Sequence, residues 1–156
     1  MKEFRFRAQA VLDLRSRHRD LVQTELAQAI RAEQVATDAL EGAERRGLQA
    51  AVDGADAFRT GGPISEFERH RYWIAHLRDE SERLRRIRQE RATEVLKARE
   101  RLRSAHQEVR VLERLRDQLW QRHQELVRQQ EMRDLDEVAT LRFARQHTQG
   151  RSERGS

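Results

Sequence analysis

The chain has 156 residues, of which 38% are charged, 5% are aromatic and none is cysteine. So few large apolar side chains exclude a layered globular core, and the lack of cysteine excludes a disulfide framework and thiolate metal sites. The net charge of +5 is uneven, because residues 1–19 carry six basic and two acidic groups while residues 20–57 carry three basic and eight acidic.

The N-terminal segment is basic and contains the stretch Phe4-Arg5-Phe6-Arg7, in which aromatic and basic residues alternate. No run of about 7–15 apolar residues follows it, so we expect no secretory signal. No stretch approaches the roughly 20 apolar residues that cross a bilayer, and we therefore expect a cytoplasmic protein. Two roles fit the aromatic pair: it contacts a partner, or it folds back onto a later helix, where Trp120 or Phe143 would cover Phe4.

The first predicted helix covers about residues 8–57 and contains no proline. Its seam positions recur at alternating steps of three and four, the spacing of a coiled-coil seam. These positions are Val22, Leu26, Ala29, Glu33, Ala36, Leu40 and Ala43. Alanine at several of them indicates that the partner helix approaches closely.

The turn is predicted at residues 58–64, around the sequence Thr60-Gly61-Gly62-Pro63. Two glycines followed by a proline end one helix and delay the next. Ser65 lies three residues before Glu68, which is the spacing of a capping box. We therefore expect the second helix to begin near Ser65.

The second predicted helix covers about residues 65–147, because nothing interrupts it before Gly150, and we expect residues 148–156 to form a disordered tail. Eleven of sixteen seam positions are apolar, which indicates a long left-handed coiled coil. The sixteen positions are Ile74, Leu77, Ser81, Leu84, Arg88, Arg91, Val95, Ala98, Leu102, Ala105, Val109, Leu112, Arg116, Leu119, His123 and Leu126.

Two long helices joined by a short glycine turn predict an antiparallel hairpin. We expect an all-α protein, a single domain over residues 1–156 that forms a long two-helix antiparallel coiled-coil hairpin whose second helix is longer than the first. The roughly 50 residues before the turn span about 75 Å, whereas the roughly 83 after it span about 125 Å.

The unequal lengths leave part of the second helix without a partner inside the chain. Pairing outward from the turn brings residue 8 opposite about residue 114, so residues 115–147 would extend beyond the first helix by about 50 Å. The apolar stripe continues through this extension at Leu119, Leu126, Val127 and Leu135. We therefore expect another molecule to cover it.

The sequence carries no pattern that indicates an enzyme. The pair Gly61-Gly62 is not followed by the Lys and Ser/Thr of a phosphate-binding loop, and no serine lies in a nucleophile elbow. The six histidines have no i,i+4 pairing, which excludes the helical zinc motif, and no Glu lies three residues before any of them, which excludes the di-iron motif. We expect no catalytic residue, no cofactor and no metal, and hence a protein that is not an enzyme.

Nucleic-acid binding is the main alternative, because the sequence pI is about 10.7. Against it, residues 65–147 carry sixteen acidic groups among twenty basic ones, and acids flank the basic run Arg83–Arg88. Interleaved acids repel a phosphate backbone. A structural or nucleic-acid-binding basic coiled coil stays open as an alternative function.

Three short motifs occur in order along the chain. They are Phe4-Arg5-Phe6-Arg7 with Val11-Leu12-Asp13-Leu14-Arg15, then Tyr72-Trp73-Ile74 with Leu77, and finally Leu135-Asp136-Glu137-Val138-Ala139 followed by Arg142-Phe143-Ala144-Arg145. In content and order they resemble the FliJ family, small proteins of bacterial flagellar type III export. The resemblance covers nearly the whole chain.

The resemblance implies an antiparallel coiled coil similar to the central stalk of rotary ATP synthases, with its paired termini in an export ATPase ring. The partners it implies are an export ATPase hexamer (FliI-like), an export gate protein (FlhA-like), and also an ATPase regulator (FliH-like) and other export chaperones. It implies a chaperone role in export, no nucleic acid, and a location at the inner face of the cell membrane at the flagellar base, through partners alone.

The resemblance also implies two sets of contact residues, one at each end of the hairpin. The ATPase-ring contacts would be Phe4, Phe6, Val11, Leu12, Leu135, Asp136, Glu137 and Arg142. The export-gate contacts would be Tyr72, Trp73 and Leu77.

Overall fold

The computed structural model describes the backbone of residues 3–152 and the side chains of residues 3–146. It contains two helices, α1 (Gln9–Arg59) and α2 (Ile64–Ser152), packed against each other, and the described residues include no strand. At 51 and 89 residues, the helices differ in length as predicted. The all-α, two-helix antiparallel coiled-coil hairpin is confirmed.

The turn begins with a Schellman motif at the end of α1. The Gly62 N–H donates to the Ala57 carbonyl at 3.4 Å, and the Gly61 N–H donates to the Phe58 carbonyl at 3.3 Å. Gly61 has φ +72°, a left-handed conformation that costs glycine little and other residues more. This motif satisfies two carbonyls at the end of α1 and lets the chain reverse within residues 60–63.

The helix α2 begins one residue before Ser65, the residue that the sequence predicts as its cap. The Pro63 carbonyl accepts the first helical hydrogen bonds, from the Glu66 N–H at 3.0 Å and the Phe67 N–H at 3.4 Å. Ser65 is therefore the second helical residue and not the cap. A proline fits just ahead of a helix, because the N–H that it lacks would have no intrahelical acceptor there.

The contacts of the chain divide it into two compact units. Unit 1 comprises residues 1–14 and 108–156, and unit 2 comprises residues 15–107. In unit 2 the pairing is antiparallel, because the partner's number falls along α2 as the residue number rises along α1. Three ion pairs between the helices show this: Glu25–Arg101 at 3.9 Å, Glu44–Arg85 at 2.7 Å and Arg46–Glu80 at 3.2 Å.

The α1 side of the seam in unit 2 contains several small residues. All seven predicted α1 positions are buried or half-buried, and the repeat continues through Ala50 and Gly54. A Cβ atom added to Gly54 would lie 3.3 Å from Ile74 Cδ1 and 3.6 Å from His70 Cβ. The two helices approach closely here because the α1 positions lack bulk, as the alanine-rich pattern predicts.

Within unit 2, the α2 side of the seam departs from its predicted register at two positions. Arg88 and Arg91 are exposed, and the neighbouring residues Ile87 and Ala92 are half-buried instead. Burying an unpaired guanidinium costs several kcal/mol, whereas an aliphatic side chain gains from burial. The helix therefore turns its apolar neighbours inward over this segment.

Unit 1 pairs the N-terminal segment and first turns of α1 with the α2 residues that follow Gln107. Leu12 and Val109 are its buried apolar residues. Half-burial then recurs along α2 as far as Val127, and every described residue from 128 to 146 is exposed. We call residues 128–146 the C-terminal stretch.

The helical part of the chain extends further than predicted. Residues 148–152, expected to be a disordered tail, continue α2, while residues 153–156 lie outside the described residues. Glycine inside a helix costs about 1 kcal/mol relative to alanine. That cost weakens a helix but does not force it to end, so Gly150 does not act as a stop.

Candidate functional site

The N-terminal aromatic residues fold back within unit 1. The Phe4 ring meets Trp120 edge-on, with centroids 5.1 Å apart and planes at 69°, and lies 5.6 Å from His123. Trp120 and His123 are themselves stacked at 5.9 Å. Edge-on aromatic pairs contribute about 0.5–1.5 kcal/mol beyond area burial. Of the two roles that the sequence left open for Phe4, the fold-back onto α2 is the one observed.

This fold-back changes the expected boundary of the uncovered helix. The sequence placed it at residue 115, but the segment before α1 reaches α2 as far as His123. Leu119 and His123 are half-buried, while Leu126 is exposed. Part of the predicted extension is therefore sheltered by the chain itself, and the uncovered part begins beyond Val127.

The predicted N-terminal contact residues have different environments. Leu12 is only 4% exposed and belongs to the core of unit 1, so it offers little surface to a partner. Phe4 and Phe6 are half-buried, and Val11 is exposed. Heptad spacing explains Leu12, because it lies ten residues before Val22, at a seam position of the same repeat.

The C-terminal stretch exposes large apolar side chains. Those of 40% exposure or more are Met132, Leu135, Val138, Leu141 and Phe143. With 3.6 residues per turn, they spread over an arc of about 200°. Leu135 lies about 160° from Leu119 around the axis, so it does not continue the internal seam, contrary to the sequence expectation.

Charged members of the predicted ring-contact set lie among these apolar residues. Asp136, Glu137 and Arg142 are all exposed in the C-terminal stretch. The Thr140 hydroxyl donates to the Asp136 carbonyl at 2.8 Å, an internal contact of the helix. Leu135 and these three residues are therefore available together on one exposed segment.

The turn end of unit 2 carries the other predicted contact set. Tyr72 is 78% exposed, and Trp73 is exposed and stacks on His76 with centroids 5.6 Å apart. Leu77, by contrast, is 1% exposed and is among the largest fully buried side chains. Of the three predicted gate contacts, Leu77 therefore supports the helix packing and does not present surface.

Three further apolar residues at the turn were missed by sequence reasoning. Phe58, Ile64 and Phe67 are exposed, and the two phenylalanine rings are 5.6 Å apart. The signal was present, because all three are large apolar residues within a few residues of Gly61. We call Phe58, Ile64, Phe67, Tyr72 and Trp73 the turn-end surface.

The basic run of α2 is partly neutralised by acids. Arg85 pairs with Glu44 at 2.7 Å, and the nearby Glu80 pairs with Arg46 at 3.2 Å. Over the described part of the chain, no cluster of three or more His, Asp or Glu could hold a metal ion. Within the same residues, neither helix contains an apolar stretch of the length that a bilayer crossing needs.

Comparison with known proteins identifies the family. A family model described as "Flagellar FliJ protein" matches residues 4–148, almost the entire chain. The chain belongs to the FliJ family. No curated protein and no solved structure matches it. The sequence-based identification of the FliJ family is thereby confirmed.

Membership gives the chain a role in flagellar protein export. The FliJ family is a non-enzymatic component of that process; that this chain is not an enzyme stays a prediction. The contact residues discussed above, and the partners that they would bind, also stay predictions.

Proposed function

We propose that this FliJ-family protein is a stalk-like regulator of the export ATPase ring and an adaptor to the export gate, with a chaperone role in export. The observation that carries the proposal is the C-terminal stretch, where large apolar side chains are exposed over an arc of about 200°. A flat partner or a single helix covers only one side of such a helix. A pore that surrounds the helix would cover the whole arc.

The chemistry of the stretch suits a pore lined by apolar and charged groups. Leu135 and its apolar neighbours would supply most of the affinity, because buried apolar anchors dominate binding energy. Asp136, Glu137 and Arg142 would orient the helix, because complementary charges act mainly on association rate and specificity. The contact between Phe4 and Trp120 would stabilise the part of α2 that precedes the inserted segment.

The turn-end surface is the proposed contact to the export gate. Its aromatic members are the side chains most enriched where a few residues dominate an interface. Tyr72 and Trp73 would anchor the contact, while the buried Leu77 would hold their part of α2 in place. An ATPase regulator and other export chaperones are further proposed partners, and the proposed location is the inner face of the cell membrane at the flagellar base.

The ring contact is tested by ATP turnover of the export ATPase from the same organism. We expect the intact chain to raise turnover, and removal of residues 1–10 or 135–156 to abolish the stimulation. Leu135→Asp should do the same without a truncation, since Leu135 is 65% exposed and its change should leave the fold intact. Leu96→Asp is the matched control, because Leu96 is 63% exposed but lies in unit 2.

Full stimulation by Leu135→Asp and by both truncated chains would refute the ring contact. The nucleic-acid alternative makes a separate prediction, namely salt-dependent binding to duplex or single-stranded nucleic acid. The Arg85–Glu44 pair argues against that alternative, because it places an acid of α1 against the basic run.

A further inference from the structure

The charges of the C-terminal stretch are ordered along one side of the helix. Around Val138, the residues within about 60° of its direction run from acidic to apolar to basic. In chain order they are Glu131, Asp134, Leu135, Val138, Leu141, Arg142 and Arg145. We call this set the Val138 face, and all its members are exposed.

The Val138 face is complementary to itself when two copies meet antiparallel. A two-fold axis near Val138 places Glu131 and Asp134 of each copy beside Arg142 and Arg145 of the other, with the apolar residues between them. A parallel pair would instead set acids against acids and bases against bases. Opposite charges across an interface favour association and fix its register, and like charges oppose it.

Local contacts support this arrangement. The Gln130 amide donates to Asp134 Oδ1 at 2.8 Å, which orients that carboxylate on the helix surface. The face lies wholly beyond Val127, where no described residue of the chain is buried or half-buried. Its apolar centre is therefore accessible to a second copy without any rearrangement of unit 1.

We propose that two copies of this protein associate antiparallel through their Val138 faces, as a symmetric homodimer. In such an interface each copy contributes the same residues. The paired segment, residues 131–145, is about 22 Å long. An interface of this size falls below about 1,200 Å², so the dimer is weak, with a Kd on the order of 10 µM.

Dimerisation would also regulate the proposed ring contact. Leu135 and Arg142 belong both to the Val138 face and to the predicted ring-contact set, so a dimer cannot insert that segment into a pore. This consequence rests on the proposed function. The dimer itself does not, and it is measured on the isolated protein without any ATPase.

The test is sedimentation equilibrium of the full chain at about 1–200 µM, at low and at high salt. We expect the mass to rise from 18.5 kDa towards twice that value, and less steeply at high salt. Val138→Asp should abolish the rise, since it places like charges at the two-fold axis. A wild-type chain that stays monomeric throughout would overturn the proposal.

Charge reversal tests the antiparallel orientation. Glu131→Arg with Asp134→Arg should raise Kd at least tenfold, because bases then face bases at both ends of the interface. Adding Arg142→Glu and Arg145→Glu should restore wild-type association. A double variant that associates as well as wild type, or a fourfold variant that is not restored, would overturn the antiparallel dimer.

The matched control changes charge by the same amount elsewhere on the helix. Asp136→Arg with Glu137→Arg reverses two acids that lie about 160° and about 100° from Val138. We expect this control to keep a wild-type Kd. Circular dichroism verifies that every variant is as helical as wild type, and an equal loss of association in control and test variants would contradict the Val138 face.

Discussion

The helix pairing of unit 2 and the C-terminal stretch use apolar residues in opposite ways. In unit 2, α1 contributes small buried side chains such as Ala36, Ala43 and Ala50, and the close approach at Gly54 completes a seam that the chain satisfies by itself. In the C-terminal stretch the apolar residues are large and exposed. Buried residues, many of them small, hold the hairpin together, while the large residues of the C-terminal stretch are exposed.

The largest difference in stability between the two regions is expected when the same charge is placed in each. Leu77→Asp should lower the free energy of unfolding by about 4 kcal/mol, because it removes a buried leucine and adds an unpaired carboxylate. Leu135→Asp should change it by less than about 0.5 kcal/mol, because the site is exposed. Urea unfolding followed by circular dichroism measures both, and equal losses would contradict the contrast.

The close approach of the two helices in unit 2 is tested by placing larger side chains at glycine positions of α1. Gly54→Leu should destabilise by about 2 kcal/mol, since its Cβ alone lies 3.3 Å from Ile74 Cδ1. Gly47→Ala is the control: nothing lies within 4 Å of its added Cβ, and alanine favours the helix by about 0.5–1 kcal/mol. Thermal unfolding should therefore move in opposite directions for the two variants. Stabilisation by Gly54→Leu would show that the helices do not approach closely.

A side chain at Gly61, in the turn that joins the two helices, should destabilise the protein. Gly61→Ala should cost about 1–2 kcal/mol, because its φ of +72° lies in the left-handed region. Gly61→Asn is the matched variant and should cost less, since asparagine visits this region more readily. Denaturant midpoints compare the two, and identical midpoints would argue against the left-handed turn.

The smallest change in stability is expected at the aromatic contact between Phe4 and Trp120 in unit 1. Phe4→Ala should destabilise by about 1 kcal/mol, through loss of the edge-on contact with Trp120. In a Trp73→Phe background, Trp120 is the only tryptophan, and its fluorescence should shift to longer wavelength in the Phe4 variant. Arg5→Ala, at an exposed neighbour, should leave the spectrum unchanged. An unshifted spectrum for Phe4→Ala would place Phe4 away from Trp120.

Sequence reasoning misplaced residues for two different reasons. The family resemblance assigned Leu12 and Leu77 to partners, because it reports the end of the hairpin on which a residue lies and not the side of the helix that it occupies, and both are buried. The heptad pattern correctly placed Leu77 on the internal seam. The same pattern treats every seam position alike, which is why Arg88 and Arg91 were expected inside. Desolvation of charge, which the pattern ignores, keeps them exposed.

The sequence by itself determined the two helices, the turn around Gly61, the greater length of the second helix and the family. These follow from local rules: a 3.5-residue repeat, the conformational freedom of glycine, and short motifs in order. Only the tertiary structure decided which apolar residues the chain shelters. It placed Phe4 on Trp120 and left Leu135 exposed, because burial depends on what lies across from a side chain and not on its neighbours along the chain.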